Sequence, residues 1–423
     1  MTKQDYEIKD ISLAPLGKEK IELAAMDMIV LRQIGERFKR EQPLKDIRIS
    51  CCLHVTKETA NLARTLRDGG ADVVVCSCNP DSTKDDVAAS LVQDYGIPVY
   101  AIQGADRETY YHHISKALEH RPHITMDDGG DLIDELHRMN QPDLMDNVIG
   151  GSEETTTGVK RHRARAADGA LKFPVIAVND ARTKHLFDNQ FGIGQSTLDG
   201  ILRAMNVLIG GKKVVIAGYG FGGRGLASRV QGLGGHPIVT EIDPVKALEA
   251  AIQGYPVMSM IEAAPIGDIF ITVTGNIHVV DKQHFELMKD GAIVCNTGHF
   301  NVEINTDALE ELKQSKTKMT DRFVEKYVMP DGRRLFLLAE GRLVNIVCGE
   351  GHPASIMDMS FSGQSLAAEY LVKHKQELGN QVYCLPKDLD DQVARMKLKA
   401  MGIHIDAETD EQLAYHKDYG AGT

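Results

Sequence analysis

The sequence predicts an α/β protein with two doubly wound parallel-sheet domains and a small helical C-terminal segment. Three observations carry that prediction. Short β-branched runs alternate with helical patterns twice, once in the first 180 residues and again from residue 212. A glycine fingerprint opens the second series. Finally, 423 residues are more than one hydrophobic core organises, so two or three domains are expected.

The fingerprint comes first because it is the most specific stretch. Val214-Val215-Ile216-Ala217 reads as a buried strand, followed by Gly218, Gly220 and Gly223 in a G-x-G-x-x-G pattern. The first glycine permits a tight turn, the second lets backbone N–H groups approach a pyrophosphate, and the third lets helix and strand pack closely. Leu226, Val230 and Leu233 then follow at helical spacing, and Gly234-Gly235 end that helix. A second strand, Pro237 to Thr240, delivers Glu241, where an acid hydrogen-bonds an adenosine ribose and repels a 2′-phosphate. NAD rather than NADP is therefore expected. A bare G-x-G-x-x-G is weak, its alternative being a glycine-rich turn. Here strand, glycines, helix, second strand and acid stand in order.

Along the chain, residues 17–40 carry apolar positions at helical spacing and predict one amphipathic helix. Strands are expected at Ile47–Cys52, Asp72–Cys76, Pro98–Ile102 and Ile124–Met126. Ligands bind at the carboxyl ends of such strands, and His54, Asn79 and Asp128 fall there. A lone strand-end Asp or Asn is more often a cap or turn residue; three in succession point to a site. The polar run Gly151 to Gly158 reads as an N-capped helix start, yet Thr155, Thr156 and Thr157 can turn their hydroxyls to a ligand. A further strand, Pro174–Val178, leads into Asn179, Lys184, Asp188 and Asn189 at the boundary of the dinucleotide domain, where clefts concentrate. Strands Ile269–Thr272 and Ala292–Cys295 end in Val273-Thr274-Gly275-Asn276 and Asn296-Thr297-Gly298-His299, which can wrap the nicotinamide half of the cofactor. A short strand, Arg333–Ala339, a helix over 354–374 and a polar helical segment over 386–416 finish the chain.

Composition narrows the partners. A net charge of −12 argues against nucleic acid and anionic membranes. No apolar run approaches the roughly 20 residues of a membrane span, and MTKQDYEIKD lacks the apolar core of a signal peptide. Seven scattered cysteines give no disulfide framework, and Cys76-Ser77-Cys78 lacks metal-ligand spacing, so no metal is expected. A cytoplasmic protein is the simplest reading.

Taken together, LHVTKETANL, DDGGDL, SEETTTGV, LFDN, VVIAGYG, TEIDP, CNTGHF, LLAEGRLVN and GHPASIM resemble the S-adenosylhomocysteine hydrolase family. The resemblance spans almost the whole chain. It implies a discontinuous substrate domain (1–188 and 354–385), an inserted NAD-binding Rossmann domain (189–353) and a C-terminal oligomerisation segment (386–423). A homotetramer in the methyl cycle of one-carbon metabolism is implied as well. Residue by residue, the resemblance places His54, Thr56, Glu58 and Thr59 around the nucleoside, with Asp128 and Glu154 at the reacting sugar. Lys184 and Asp188 would hold the ribose hydroxyls, with Asn189 beside them. Thr155, Thr156, Thr157, Asn276 and Asn345 would touch the cofactor, while His299 and His352 close the site. Ile193 stands where many members carry a cysteine, and Phe221-Gly222-Gly223-Arg224 replaces Asp-Val-Gly-Lys. The sequence ends Tyr415-His416-Lys417-Asp418-Tyr419-Gly420-Ala421-Gly422-Thr423, without the longer tail that in many members contributes a Lys and a Tyr to a neighbour's NAD.

The implied reaction is hydrolysis of S-adenosyl-L-homocysteine to adenosine and L-homocysteine. Oxidising the 3′-hydroxyl makes the C4′ hydrogen acidic, which permits elimination of the thioether, water addition and re-reduction without net redox change. Lys184, lowered in pKa by burial, is the expected base for the 3′-hydroxyl; Asp128 is the C4′ base, and His54 serves sulfur and water. Three rivals stand beside this reading: a dehydrogenase of small 2-hydroxy acids, a catalytically silent NAD-binding regulatory relative, and the same chemistry on S-inosylhomocysteine. Singly, His54 could be a satisfied buried histidine, Asp128 a turn acid and Lys184 an ion-pair partner.

Overall fold

The structure is a computed structural model that describes residues 6–319, 323–418 and 420. Its first sheet has seven strands: β1 (Arg48–Leu53), β2 (Asp72–Ser77), β3 (Val99–Tyr100), β4 (Ile124–Asp127), β5 (Gly150–Glu153), β6 (Val175–Ala177) and, from far along the chain, β14 (Val382–Cys384). Their order is β14-β6-β5-β4-β1-β2-β3, parallel throughout. Helices cover both faces, which is why RISCCL and DVVVCS are buried almost residue for residue instead of alternating. The chain runs outward from β1 to β3, then returns to place β4 on the other side of β1. That reversal is a topological switch point.

The second sheet contains β7 (Lys213–Ala217), β8 (His236–Thr240), β9 (Ile269–Thr272), β10 (Ala292–Asn296), β11 (Ser315–Met319), β12 (Val324–Val328) and β13 (Arg334–Leu338). The order is β11-β12-β13-β10-β9-β7-β8, with β11 and β12 antiparallel. Its switch point lies between β7 and β9. The edge strand β11 (SKTKM) is exposed at every position, and its lysines guard the open edge.

Several expectations needed correction. The helix expected over 17–40 is two, Ala14–Asp27 and Ile29–Glu41, broken at buried Met28. Asp358, distant in sequence, accepts the N–H groups of Val30 and Leu31 and so caps the second helix. Gly150–Glu153 is a strand before it is a helix start. Its glycines are there for close packing, since a Cβ on Gly150 would lie 2.5 Å from Leu371 Cδ2, on the helix Ala354–His374. Strands β11, β12 and β14 were not anticipated. The helix Lys387–Ala400, in the segment expected to serve oligomerisation, lies against the first domain, with Val393 fully buried and Lys397 2.8 Å from Asp358. Tyr419 and residues 421–423 of the tail lie outside the described residues. Among the described residues, no helix is long and apolar enough to cross a membrane.

Candidate active site

The carboxyl ends of the two sheets face one cavity of about 1260 Å³. Both switch points open into it. From the first come His54, after β1, and Asp128, after β4; from the second come Gly218, after β7, and Val273-Thr274-Gly275, after β9. The residues that the sequence assigns to catalysis, substrate or cofactor all line this cavity except Gly223, and of the three strand-end residues Asn79 also lies outside it. A Cβ on Gly223 would lie 2.0 Å from the Gly218 carbonyl oxygen, so that glycine serves helix–strand packing, as its place in the motif requires.

Asp128 sits between two histidines. Its carboxylate lies 3.6 Å from His54 Nε2 and 3.4 Å from His299 Nδ1, the latter reaching across from the second domain. Burial raises its pKa, with His299 and Lys184 opposing. His54 Nδ1 is 2.7 Å from Ser82 Oγ, and burial, with the His352 charge, pushes its pKa down to about 3. His54 is thus neutral at rest. Asn79, singled out as a strand end, is not in the cavity. Its side chain accepts from Asp81 N–H and its carbonyl from Ser82 Oγ, which makes it a turn residue that presents Ser82 to His54.

A second cluster forms around Lys184. A π-helical segment, His185–Gly192, follows it and brings Asp188 and Asn189 back onto the ammonium group at 2.9 and 2.8 Å. Glu154 stands 3.8 Å away, held by Gln364 Nε2 at 2.7 Å and by Ser360. His352 Nδ1 contacts the other Asp188 oxygen at 3.2 Å. The expected lowering of the Lys184 pKa is overturned. Burial does push it down, but Asp188 and Glu154 outweigh burial and leave it above the ordinary lysine value. Asp188 is correspondingly held low: burial opposes, and Lys184 and His352 prevail.

The nucleoside corner is built from the start of the helix Lys57–Asp68. Thr56 caps it, and the Thr59 hydroxyl donates to the His54 carbonyl at 2.6 Å, fixing the turn out of β1. Glu58 is 2 % exposed, and its Oε1 has no hydrogen-bond partner, with Lys57 Nζ standing 3.8 Å away. Leu53, Met357 and Phe361 provide the apolar wall.

The cofactor side can be tested for fit. Gly218 has φ +102°, and nothing lies within 4 Å of where a Cβ on Gly220 would stand, so the backbone there is open to close approach. The helix Phe221–Gly232 has no side-chain cap and no acid in its first turn, which leaves its N–H groups for a phosphate. The Glu241 carboxylate accepts from the N–H groups of Tyr219, Ile242 and Asp243 at 2.6–3.0 Å, which pins it at the end of β8. Asn345 is buried with an unpartnered Oδ1. These residues fit a dinucleotide. Two of the threonines are already engaged: Thr155 Oγ1 donates to Glu153 and Thr156 Oγ1 to Asn179, while Thr157 lies open on the cavity wall. Ile193 also lines the cavity, and Arg224 is anchored by a two-pronged pair with Glu249. Glu241→Ala is expected to weaken NAD binding by at most about 3 kcal/mol, the scale of hydrogen bonds to a charged group. Titration of NAD and NADP onto both proteins checks this, and preference of the wild type for NADP would refute the reading of Glu241.

Sequence reasoning missed the residues that hold the site residues. Asp390 accepts the N–H groups of Arg182 and Thr183 at 2.8 and 3.0 Å, anchoring the turn that carries Lys184. Glu303 accepts from Thr274 and Gly275 and shapes the loop after β9. Nothing local marks either residue.

Two family models match the chain: S-adenosyl-L-homocysteine hydrolase over residues 5–146, and the NAD binding domain of S-adenosyl-L-homocysteine hydrolase over residues 189–351. The adenosylhomocysteinase of Aquifex aeolicus (strain VF5) is 58% identical over 419 residues, covering 99% of this chain and 100% of the relative. That of Gloeothece citriformis (strain PCC 7424) is 54% identical over 99% of this chain and 97% of its own. That of Sulfurisphaera tokodaii is 51% identical over 99% of this chain and 100% of its own.

Proposed function

The chain belongs to the S-adenosyl-L-homocysteine hydrolase family, and from that premise we propose how its cleft carries out the reaction. The reaction is the reversible hydrolysis of S-adenosyl-L-homocysteine to adenosine and L-homocysteine, with NAD as cofactor. The observation that supports the assignment of roles is the convergence of Asp128, Glu154 and Lys184 with the glycine loop on one cavity.

When bound, NAD supplies the reversible removal of hydrogen from C3′ that makes the neighbouring C4′–H acidic. Lys184 takes the 3′-hydroxyl proton. A 2′-hydroxyl that donates to Asp188 or Glu154 occupies a lone pair that otherwise holds the Lys184 proton, so substrate binding favours loss of that proton to solvent and leaves a free amine to accept the one from the 3′-hydroxyl. Asp128 takes the C4′ proton. His54, neutral at rest, must gain a proton before it can serve the departing sulfur, and the acid facing its Nε2 is Asp128 once loaded from C4′. The same neutral imidazole then accepts a proton from the incoming water. His299 and Phe300 close over Asp128 and Arg161, keeping bulk water from the ketone.

The assembly and domain readings are proposals as well. Exposed Val245, Leu248 and Ile252 on one helix support a contact with another copy of the chain, and we propose a homotetramer in the cytoplasm. The pairing of β14 with β6 supports a discontinuous substrate domain, 1–188 with 354–385, around a cofactor domain, 189–353, with 386–423 as the C-terminal segment. The test of function is mass balance: S-adenosyl-L-homocysteine should give homocysteine and adenosine one to one. Stoichiometric accumulation of reduced cofactor would instead favour a dehydrogenase.

The base is read by Glu58. Its Oε1, which no hydrogen bond occupies, suits the N6 amine of adenine and repels O6 of hypoxanthine. The wild type is expected to prefer the adenosyl over the inosyl substrate by roughly a hundred-fold, the effect of a buried mismatched polar group. Glu58→Lys should shrink that preference and Glu58→Gln largely keep it. Burial raises the Glu58 pKa, with Lys57 opposing, and a protonated Glu58 can donate to O6. The preference should therefore widen as pH rises. Comparing kcat/KM for the two substrates checks this, and equal turnover would overturn it.

A further inference from the structure

Behind the catalytic acids lies a second, fully buried set. Asp127 and Glu153 end the paired strands β4 and β5 in register, each immediately before a cleft residue, Asp128 or Glu154. Alternation along a strand sends Asp128 and Glu154 into the cavity and their neighbours beneath it. Asp127 accepts the N–H of Asp128 at 3.0 Å and that of Ile133 at 2.9 Å. Glu153 Oε1 accepts three donors: Gly129 N–H at 2.8 Å, Thr155 N–H at 2.9 Å and Thr155 Oγ1 at 2.8 Å. Its Oε2 faces His162 Nε2 at 3.0 Å. Each of these four carboxylate oxygens already has a protein partner, so the trio is a positioning network, not a cation site.

We propose that Glu153 is a positioning residue that locks the C4′-base turn and the cofactor-side threonine turn into one rigid unit. One oxygen atom holds the backbone just after Asp128 and the backbone just after Glu154. Gly129, the residue it grips, has φ +101°, and a Cβ there would stand 2.1 Å from His299 Nε2. Displacing Gly129 therefore moves Asp128 and disturbs its contact with His299 together. Burial raises both acids to about 8, with Glu153 adding to the effect on Asp127 and Asp128 to that on Glu153. The proposal rests on the assignment of Asp128 to the C4′ proton.

Gly158 provides a selective perturbation. It lies on the helix Thr156–Ala167, and a Cβ there would come within 2.1 Å of the Glu153 carboxyl carbon. Gly158→Ala improves helix propensity while pushing the carboxylate off its donors. With adenosine and NAD-loaded protein, two rates are read per bound cofactor: reduction of the cofactor, and entry of solvent deuterium at C4′. Gly158→Ala and Glu153→Ala should each lower both rates by about ten-fold or more, the effect of a small misplacement of reacting groups. Glu153→Gln, whose amide oxygen still accepts from Gly129 and Thr155, should restore both to within about three-fold. Wild-type rates in Gly158→Ala, or loss of only one rate, overturn the proposal even if Glu153→Ala does not fold. Asp128→Asn run alongside separates the two readings. If it keeps deuterium entry, the base assignment fails while the coupled loss in Gly158→Ala still judges Glu153.

Discussion

Asp128→Asn is expected to slow exchange of the adenosine C4′ hydrogen with solvent by about a hundred- to ten-thousand-fold, the range for removing a positioned general base. Cofactor reduction by the same variant should fall far less. The separation follows from geometry. The backbone of Asp128 is fixed without its carboxylate, by the Cys52 carbonyl and by Asp127 Oδ1, so an isosteric amide leaves the turn in place. The lost group is a carboxylate that burial makes more basic than an ordinary aspartate. Lys184, Asp188 and Asn189 hold the other reacting centre through contacts with one another that do not pass through Asp128. The exchange rate in the wild type should also fall as pH drops through that raised pKa, at a higher pH than for an ordinary carboxylate. Rates of deuterium entry and of cofactor reduction, measured on the same sample, decide the matter. Equal loss of both would make Asp128 a turn acid that merely supports the site.

Which parts of this site the sequence reveals follows from where each signal resides. The cofactor half is legible because its constraint is local: Gly218, Gly220 and Gly223 must be glycine within one turn, and Glu241 must end the next strand. His54 and Asp128 are legible as strand ends, since sheet topology sends strand ends to the switch point. Strand β5 is not, because GGSE carries no apolar or β-branched residue; close packing under Leu371 makes it a strand. Asp390, Ser360 and Gln364 act on residues more than 200 positions away, and no periodicity or motif encodes such a pairing. The sign of the Lys184 shift is hidden for the same reason. Burial and ion pairing oppose each other there, and only the approach of Asp188 and Glu154 decides between them.

That sign gives the second large effect. Lys184→Met should abolish measurable cofactor reduction, a loss of about a hundred-fold or more for a proton-transfer base, while NAD still binds. Removing one member of a buried ion pair costs about 3–5 kcal/mol, so rates must be expressed per folded, NAD-loaded site. A positional role alone would give the same loss, and pH separates the two. In the wild type Lys184 is 4 % exposed and its proton is stabilised by Asp188 at 2.9 Å and Glu154 at 3.8 Å, against the pull of burial. A base held protonated works better as pH rises, so cofactor reduction at saturating adenosine should climb with pH. Asp188→Asn removes the closest negative charge and lets burial act with less opposition, lowering the Lys184 pKa. The rising limb of the profile should then move to lower pH, even though the variant binds the ribose less tightly. A limb that stays where it is in Asp188→Asn, or moves upward, would show that Lys184 positions the 3′-hydroxyl without taking its proton.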